Sequence, residues 1–378
     1  MLFTEGAVLL DLDLHQPPTR CSLAFYNPKA KINRDIAIGV VATYAKRVGH
    51  SIVVCDALSG SGVRGLRYGM EVSAVERVVL NDVNPHACEK IREHLSLNSC
   101  LNERFVICCE DANVLLHRMR KQFDVVDIDP FGSFIPFLDA AFDGLKWGGL
   151  LCVSATDTAV PCGRYPKTCI RHYGINPLAM SYRQEVALRI YVSTLIKRAA
   201  QLDIAYKPVL SIFRRHSVAL FGIVIPRAYE ADGLLSQFGY IAHCFACEYR
   251  HLSQHQEAGL CPECGGCLES VGPIWLGELA DAQFASDVSN ELFSRRLNDA
   301  AKLVKLAAIE AQITMPFYDL HVLAKLHRTS PPRTNRLIER LRSLGYVATR
   351  THITGTGVKT NAPIRVIKEV MLEPATKA

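Results

Sequence analysis

From about residue 33 to residue 225, short apolar runs alternate with amphipathic stretches. The runs 51–55, 77–80, 105–108, 124–128 and 150–154 are four or five residues long and rich in β-branched side chains, so each predicts a buried strand. Between them the spacing becomes helical, as in 85–97, where Asn84 suits an N-cap and Pro85 suits the first helical position. Strand, helix and strand at this interval predict right-handed βαβ units and a mostly parallel sheet. A long helix is predicted over 181–201, with further strands to about residue 226.

The pattern then changes. A turn-rich, cysteine-rich segment occupies 241–272, and helical periodicity returns over 281–310, 316–327 and 333–344, the last closed by Gly345. A Thr-rich pair of short strands surrounds Gly355-Thr356-Gly357. These breaks predict an α/β domain over 1–240 and a C-terminal domain over 241–378, with 241–272 and 285–378 as its two parts.

Length and composition agree with more than one core: 378 residues, 49% apolar and 21% charged. No apolar run is long enough to span a bilayer, so no membrane partner is expected. The start, MLFTEGAVLLDLDLH, carries acids and lacks the basic opening of a secretory signal, which favours a cytoplasmic protein. Cysteines such as Cys55, Cys108, Cys109 and Cys152 sit singly in apolar runs and read as reduced, buried hydrophobes. Charge is uneven along the chain. From Ala285 onward there are 15 Lys and Arg against 8 Asp and Glu, while the first 284 residues hold 28 against 29, so a basic partner-facing surface would be C-terminal.

The candidate chemistry lies at strand ends. After the first strand comes Gly60-x-Gly62-x-x-Gly65, and Asp82 follows the second strand. Glycines there allow a tight turn and a close ligand approach, and an acid at the next strand end can accept from ribose hydroxyls. The pattern fits a dinucleotide and fits S-adenosylmethionine equally well. Three details favour the methyl donor. Asp56, before the glycines, would repel a pyrophosphate but suit a cationic amino or sulfonium group. Asp111-Ala112, after the third strand, suits an adenine edge. Asp129-Pro130-Phe131-Gly132 ends the fourth strand, beside where the donated methyl would sit. Any one of these acids could simply cap a helix, but four at successive strand ends share the edge where open α/β sheets bind ligands.

The exocyclic amine of a nucleobase is a poor nucleophile because its lone pair is delocalised into the ring. Hydrogen-bond acceptors on its N–H groups aim that lone pair at the methyl carbon. Asp129 and the Pro130 carbonyl are candidate acceptors, Phe131 can stack on the base, and Gly132 leaves room for it. Such a reaction requires no metal and no covalent enzyme nucleophile.

Cys244-x2-Cys247 and, after thirteen intervening residues, Cys261-x2-Cys264 have the spacing of a structural zinc ribbon, with Gly265 at the second turn. Cys267, His243, His251 and His255 are possible substitutes for a ligand, and disulfides are the alternative. In 333–344 an apolar face of Leu337, Ile338, Leu341 and Leu344 lies opposite Arg333, Arg336 and Arg340. With the following hairpin and its Lys359, this reads as a winged helix for a phosphate backbone, the plainer alternative being a solvated amphipathic helix.

The stretches FYNPKAKINRD (25–35), DALSGSGVRGLR, DIDPFGSFIPFLD, CGRYPKTCIRHYG and TGVKTNAP together resemble the tRNA (guanine(26)-N2)-dimethyltransferases, a family of class I methyltransferases, over most of the chain. The resemblance implies a Rossmann-like catalytic domain and transfer of one or two methyl groups from S-adenosyl-L-methionine to the N2 amine of guanine 26 in tRNA. It also implies that Arg34, Arg64, Asp82, Asp111 and Ala112 contact the donor, joining Asp56 and Gly60. Asp129 is then the catalytic carboxylate, with Pro130 beside it, and Phe25 and Phe131 hold the flipped guanine. A monomer is the default expectation. The alternatives are a methyltransferase for another nucleobase amine, in DNA or at another RNA position, and a zinc-ribbon nucleic-acid-binding protein without catalysis.

Overall fold

The computed structural model describes residues 1–13, 24–100 and 102–373. A hairpin of β1 (Leu2–Glu5) and β2 (Val8–Asp11) precedes helix α1 (Lys31–Val48). The main sheet is formed by β3 (Ile52–Asp56), β4 (Val75–Asn81), β5 (Phe105–Cys108), β6 (Phe123–Ile128), β7 (Leu145–Ala155), β8 (Ala205–Arg214) and β9 (Ser217–Ile225). Their spatial order is β5-β4-β3-β6-β7-β9-β8. The first five run parallel, and β9 is antiparallel to both its neighbours, so the sheet is mixed.

Side-chain alternation divides the core between the two faces of this sheet. Val53, Cys55, Val126 and Ile128 pack on one side with α4 (Ala112–Arg118), α5 (Leu138–Gly144) and α7 (Arg183–Ala200). Ile52, Val54, Val78 and Leu80 pack on the other, against α1, α2 (Val63–Glu71) and α3 (Pro85–Leu97). A short α6 (Pro166–Tyr173) lies between β7 and α7, and α8 (Ala228–Leu235) follows β9. The strand order reverses between β3 and β6, which opens a crevice above their carboxyl ends.

A second, four-stranded sheet has the order β11-β10-β13-β12, from β10 (Phe238–His243), β11 (Arg250–Ser253), β12 (Gly259–Leu260) and β13 (Cys267–Trp275). Two cysteine turns protrude from it. Helices α9 (Ala282–Ser294) and α10 (Asn298–Glu310) then return to the main domain: Phe284, Val288, Leu292 and Val304 share a cluster with Ile36, Val40 and Val41 of α1. By sequence pattern, residues from 285 onward group with the C-terminal domain. The apolar face of α9 instead completes the cover of α1, and Gly39 leaves space for Leu292, whose Cγ would stand 2.6 Å from an added Cβ.

The C-terminal unit has its own core, built from β14 (Tyr318–Asp319), α11 (Leu320–Leu326), α12 (Thr334–Ser343), β15 (Ala348–Arg350), β16 (Gly357–Thr360) and α13 (Ile364–Leu372). Leu337, Ile338 and Leu341 of α12 are buried there as their spacing predicted, each contributing about 1.5–3 kcal/mol of apolar burial. Leu344 is exposed instead, beyond the last turn. Lys359 also departs from expectation. Its side chain is buried and its ammonium lies 3.0 Å from Glu185 Oε1 on α7, so it anchors the unit to the main domain and does not face a phosphate backbone. Arg333, Arg336 and Arg340 lie on the exposed side, where Arg340 pairs with Glu373. Among the described residues, no helix is long and apolar enough to cross a membrane.

Candidate active site

The site is built on the carboxyl ends of β3, β4, β5 and β6. After β3 the chain turns through Gly60 (φ +54°) and Gly62 (φ +77°) into α2. Gly60 is required twice over. Besides its backbone conformation, an added Cβ would lie 3.0 Å from the Phe25 carbonyl oxygen, because the 24–27 segment is laid over the loop by a Ser61 N–H to Phe25 carbonyl bond of 3.1 Å. Asp82 fixes the loop from the next strand end, accepting from Gly60 N at 2.8 Å and from Asn84 N at 2.9 Å. Asp56 accepts from Gly65 N at 2.9 Å, and Gly65 allows Leu80 to pack where a Cβ would stand 2.2 Å from it.

Asp56 is therefore buried beneath the loop at 1% exposure and does not project into the crevice. Burial pushes its carboxyl above the usual range and the nearby Asp127 adds to the effect, while Arg64 opposes it. Asp127, inside β6, is raised by burial in the same way and is likewise held back by Arg64. Arg64 is thus the cation that makes this acidic corner tolerable. Burial acts to lower it, but the charges of Asp127 and Asp129 more than compensate. Its Nη1 lies 3.2 Å from Asp127 Oδ2 and its Nη2 2.5 Å from Asp129 Oδ2, and Tyr68, one turn along α2, donates to Asp127 as well.

Asp129 differs from the other acids of this corner because its side chain remains about one-third exposed, at 34%. Arg64 holds one oxygen from below and the carboxylate edge meets the crevice. Pro130 is buried behind it. Phe131 is exposed and its ring packs edge-on to Phe25, centroids 4.4 Å apart at 76°. Gly132 has φ +91°, and its N–H donates to Thr156 Oγ1 at 3.0 Å. The structure thereby brings together Asp129, Pro130, Phe131, Phe25, Gly60 and Arg64.

Other expected residues stand elsewhere around the edge. Asp111 caps α4, accepting from Asn113 N at 2.8 Å, and Ala112 is buried in its first turn. Arg34 directs its guanidinium to Glu5, with Nε–Oε1 at 2.7 Å, and to the Asn27 carbonyl at 3.1 Å, so it braces the segment that carries Phe25. Two further carboxylates support the site. Asp127 had a sequence signal, a charge in the middle of an apolar strand. The Asp157 carboxylate, which takes Tyr173 and Tyr191 hydroxyls at 2.6 and 2.8 Å behind the Gly132 loop, had none.

The four cysteines of the second sheet meet. All four Sγ atoms of Cys244, Cys247, Cys261 and Cys264 lie within 4.8 Å of one another, with Cys244–Cys264 and Cys247–Cys261 each at 3.5 Å. Cys267 is exposed at the start of β13, His251 pairs with Glu257, and His243 is buried against Tyr182 and Phe245.

The sequence profile of the family described as "TRM: N2,N2-dimethylguanosine tRNA methyltransferase" matches residues 19–372. A tRNA (guanine(26)-N(2))-dimethyltransferase of Methanosphaera stadtmanae is 35% identical, covering 98% of this chain and 96% of its own. One from Methanosarcina mazei is 38% identical, covering 97% of both chains. The solved structure of Trm1 from Pyrococcus horikoshii with S-adenosyl-L-methionine superposes with a TM-score of 0.84 at 32% identity, over 98% of this chain and 99% of that one. The chain belongs to the N2,N2-dimethylguanosine tRNA methyltransferase family.

Proposed function

We propose that this protein transfers one or two methyl groups from S-adenosyl-L-methionine to the N2 amine of guanine 26 in tRNA. The observation that carries the reading is Asp129, a carboxylate fixed by Arg64 yet open at the switch point of the sheet, with two aromatic rings beside it. The glycine loop fits an adenosyl ligand, since Gly60 and Gly62 take left-handed conformations that let the backbone turn tightly at the strand end and come close to a ligand. Asp82 and Asp111 border that crevice with carboxylates suited to ribose and adenine edges. When bound, the donor supplies an electrophilic methyl on a sulfonium.

The remaining chemistry falls to the chain. Guanine 26 must leave its stack, at a cost of a few kcal/mol, and contact with Phe131 and Phe25 recovers about 1–3 kcal/mol. Asp129, helped by the Pro130 carbonyl, accepts from the amine N–H and aims the nitrogen lone pair. As the new N–C bond forms, the sulfur–methyl bond breaks with its electron pair going to sulfur and S-adenosylhomocysteine departs; the amine loses one proton, which Asp129 receives and passes to solvent.

The four cysteines fit a structural zinc ion. Zinc–sulfur bonds of about 2.3 Å in a tetrahedron place sulfurs about 3.8 Å apart, close to the pairs seen, and four thiolates leave no open position. The zinc ribbon over 241–272 and a winged-helix-like unit within 285–378 are assigned to gripping tRNA, in a cytoplasmic, monomeric enzyme. Methyl transfer from labelled donor into tRNA, mapped by nuclease digestion, tests the reading. Label at guanine 26 is expected; label only in duplex DNA, or none anywhere, would overturn it.

A further inference from the structure

The segment 160–174, part of the CGRYPKTCIRHYG stretch, has no place in the chemistry above. After β7 it forms a wide turn, Val160–Arg164, and then α6. Cys169 and Tyr173 face inward and are buried. The outer side exposes Arg164, Tyr165, Lys167, Ile170, Arg171 and His172, and no acidic residue occurs between Val160 and Gly174. Tyr165 is 50% exposed, an aromatic left in solvent beside the Arg164 guanidinium at 5.7 Å.

These cations stand without ion pairs, unlike some other surface cations of the same domain. Arg118 pairs with Glu110 and Arg198 with Asp139. Among the described residues, no carboxylate lies within ion-pair distance of Arg164, Lys167 or Arg171, and Arg171 makes only a 3.1 Å bond to Thr168 Oγ1. Unpaired cations interleaved with an exposed aromatic suit an RNA strand, where phosphates take the charge and a base takes the ring.

The location adds a second reason. The Tyr173 hydroxyl meets Ser133 Oγ at 3.1 Å and donates to Asp157 at 2.6 Å. Thr156, next to Asp157, exchanges hydrogen bonds with Gly132, its Oγ1 accepting at 3.0 Å and its N–H donating at 3.1 Å. The exposed basic face is thereby tied through one buried side chain to the loop that carries Phe131. A nucleotide turned out of its stack leaves its flanking backbone bent at the mouth of the pocket, and that backbone needs cations placed relative to the pocket floor.

We propose that residues 160–174 form a phosphate clamp for the RNA strand flanking the target nucleotide, with Lys167, Arg171 and Arg164 as its cations. The assignment rests on the reading of tRNA as substrate. It differs from the C-terminal basic surface anticipated from charge distribution, because it lies on the catalytic domain.

The test is tRNA binding across a salt series with Lys167→Ala/Arg171→Ala, beside the wild type and a control, Lys302→Ala/Lys305→Ala, on the exposed side of α10. The clamp variant is expected to weaken tRNA binding about tenfold or more and to lower the slope of log K against log salt by about two. Its S-adenosylmethionine affinity and melting temperature are expected to match the wild type. An unchanged tRNA affinity and slope would overturn the clamp, and so would an equal effect from the control, which would mean bulk charge alone. Because the readout is binding, it is independent of the methylation assay. Wild-type protein that binds tRNA through this face without methylating it would contradict the proposed reaction and leave the clamp standing.

Discussion

Glu5 lies far from the crevice in sequence but supports it, and its replacement by Gln gives a quantitative test of how. The side chain is 2% exposed, and its carboxylate accepts from Arg34 Nε at 2.7 Å, Arg67 Nη1 at 3.0 Å and Tyr26 Oη at 2.8 Å. Burial alone would raise this carboxyl, but the hydrogen bonds and charge of Arg34, with Tyr26 and Arg67, hold it at about 2 against an ordinary 4.5. That difference corresponds to about 3 kcal/mol at neutral pH, in keeping with the roughly 3–5 kcal/mol cost of breaking a buried ion pair. Because the folded value is depressed, the contribution is complete above pH 4.5 and vanishes as the pH falls through about 2. Gln imitates the protonated acid, so Glu5→Gln should be about 3 kcal/mol less stable than wild type at pH 7, with the gap closing on acidification. Urea denaturation of both proteins at several pH values measures it. A gap below about 1 kcal/mol at pH 7, or one independent of pH, would refute the argument. Arg34 also holds the Asn27 carbonyl, so the variant should show a raised KM for tRNA through a loosened Phe25.

Three further outcomes follow from the geometry. Lys359→Met removes one of the two cations beside Glu185 and leaves Arg189 at 3.1 Å, so chemical denaturation should show a loss of about 1.5–3 kcal/mol, with the salt dependence of tRNA binding unchanged. Metal analysis should find one zinc per chain, and Cys247→Ser or strong chelation should release it and lower the melting temperature. Gly60→Ala should weaken S-adenosylmethionine binding measured by calorimetry and cost about 1–2 kcal/mol of stability, because φ is +54° and the Phe25 carbonyl stands in the way.

Much of the main domain was legible because its strands are buried on both faces and so read as plain apolar runs. The predicted 124–128 is observed as Phe123–Ile128, and 181–201 as Arg183–Ala200. Glycine punctuation hid the true length of β7, which starts at Leu145 and passes through Gly148 and Gly149 before the apolar run begins. The single helical stretch 281–310 is two helices. It breaks after Ser294, where Arg296 takes φ +61°, a conformation that helical periodicity does not reveal. Cys109, expected to be buried, is exposed just beyond the end of β5.

At the site, residue identity was easier to read than orientation. Four acids at strand ends were visible, but which of them turned under the glycine loop depended on Gly65 and Leu80 packing together. Partnerships across long separations left no trace in local pattern. Lys359 reaches Glu185 across 174 residues and Arg34 reaches back 29 to Glu5, so a basic residue that looked suited to a ligand could equally hold the fold together.

The most direct measurement is single-turnover methyl transfer by Asp129→Asn, with donor and tRNA both saturating. The substitution keeps the shape beside Arg64 and removes the charge that accepts from the amine. The rate is expected to fall by about 10²–10⁴, with tRNA and S-adenosylmethionine affinities retained. Turnover within a few-fold of wild type would contradict the central claim that this carboxylate orients the guanine amine and takes its proton.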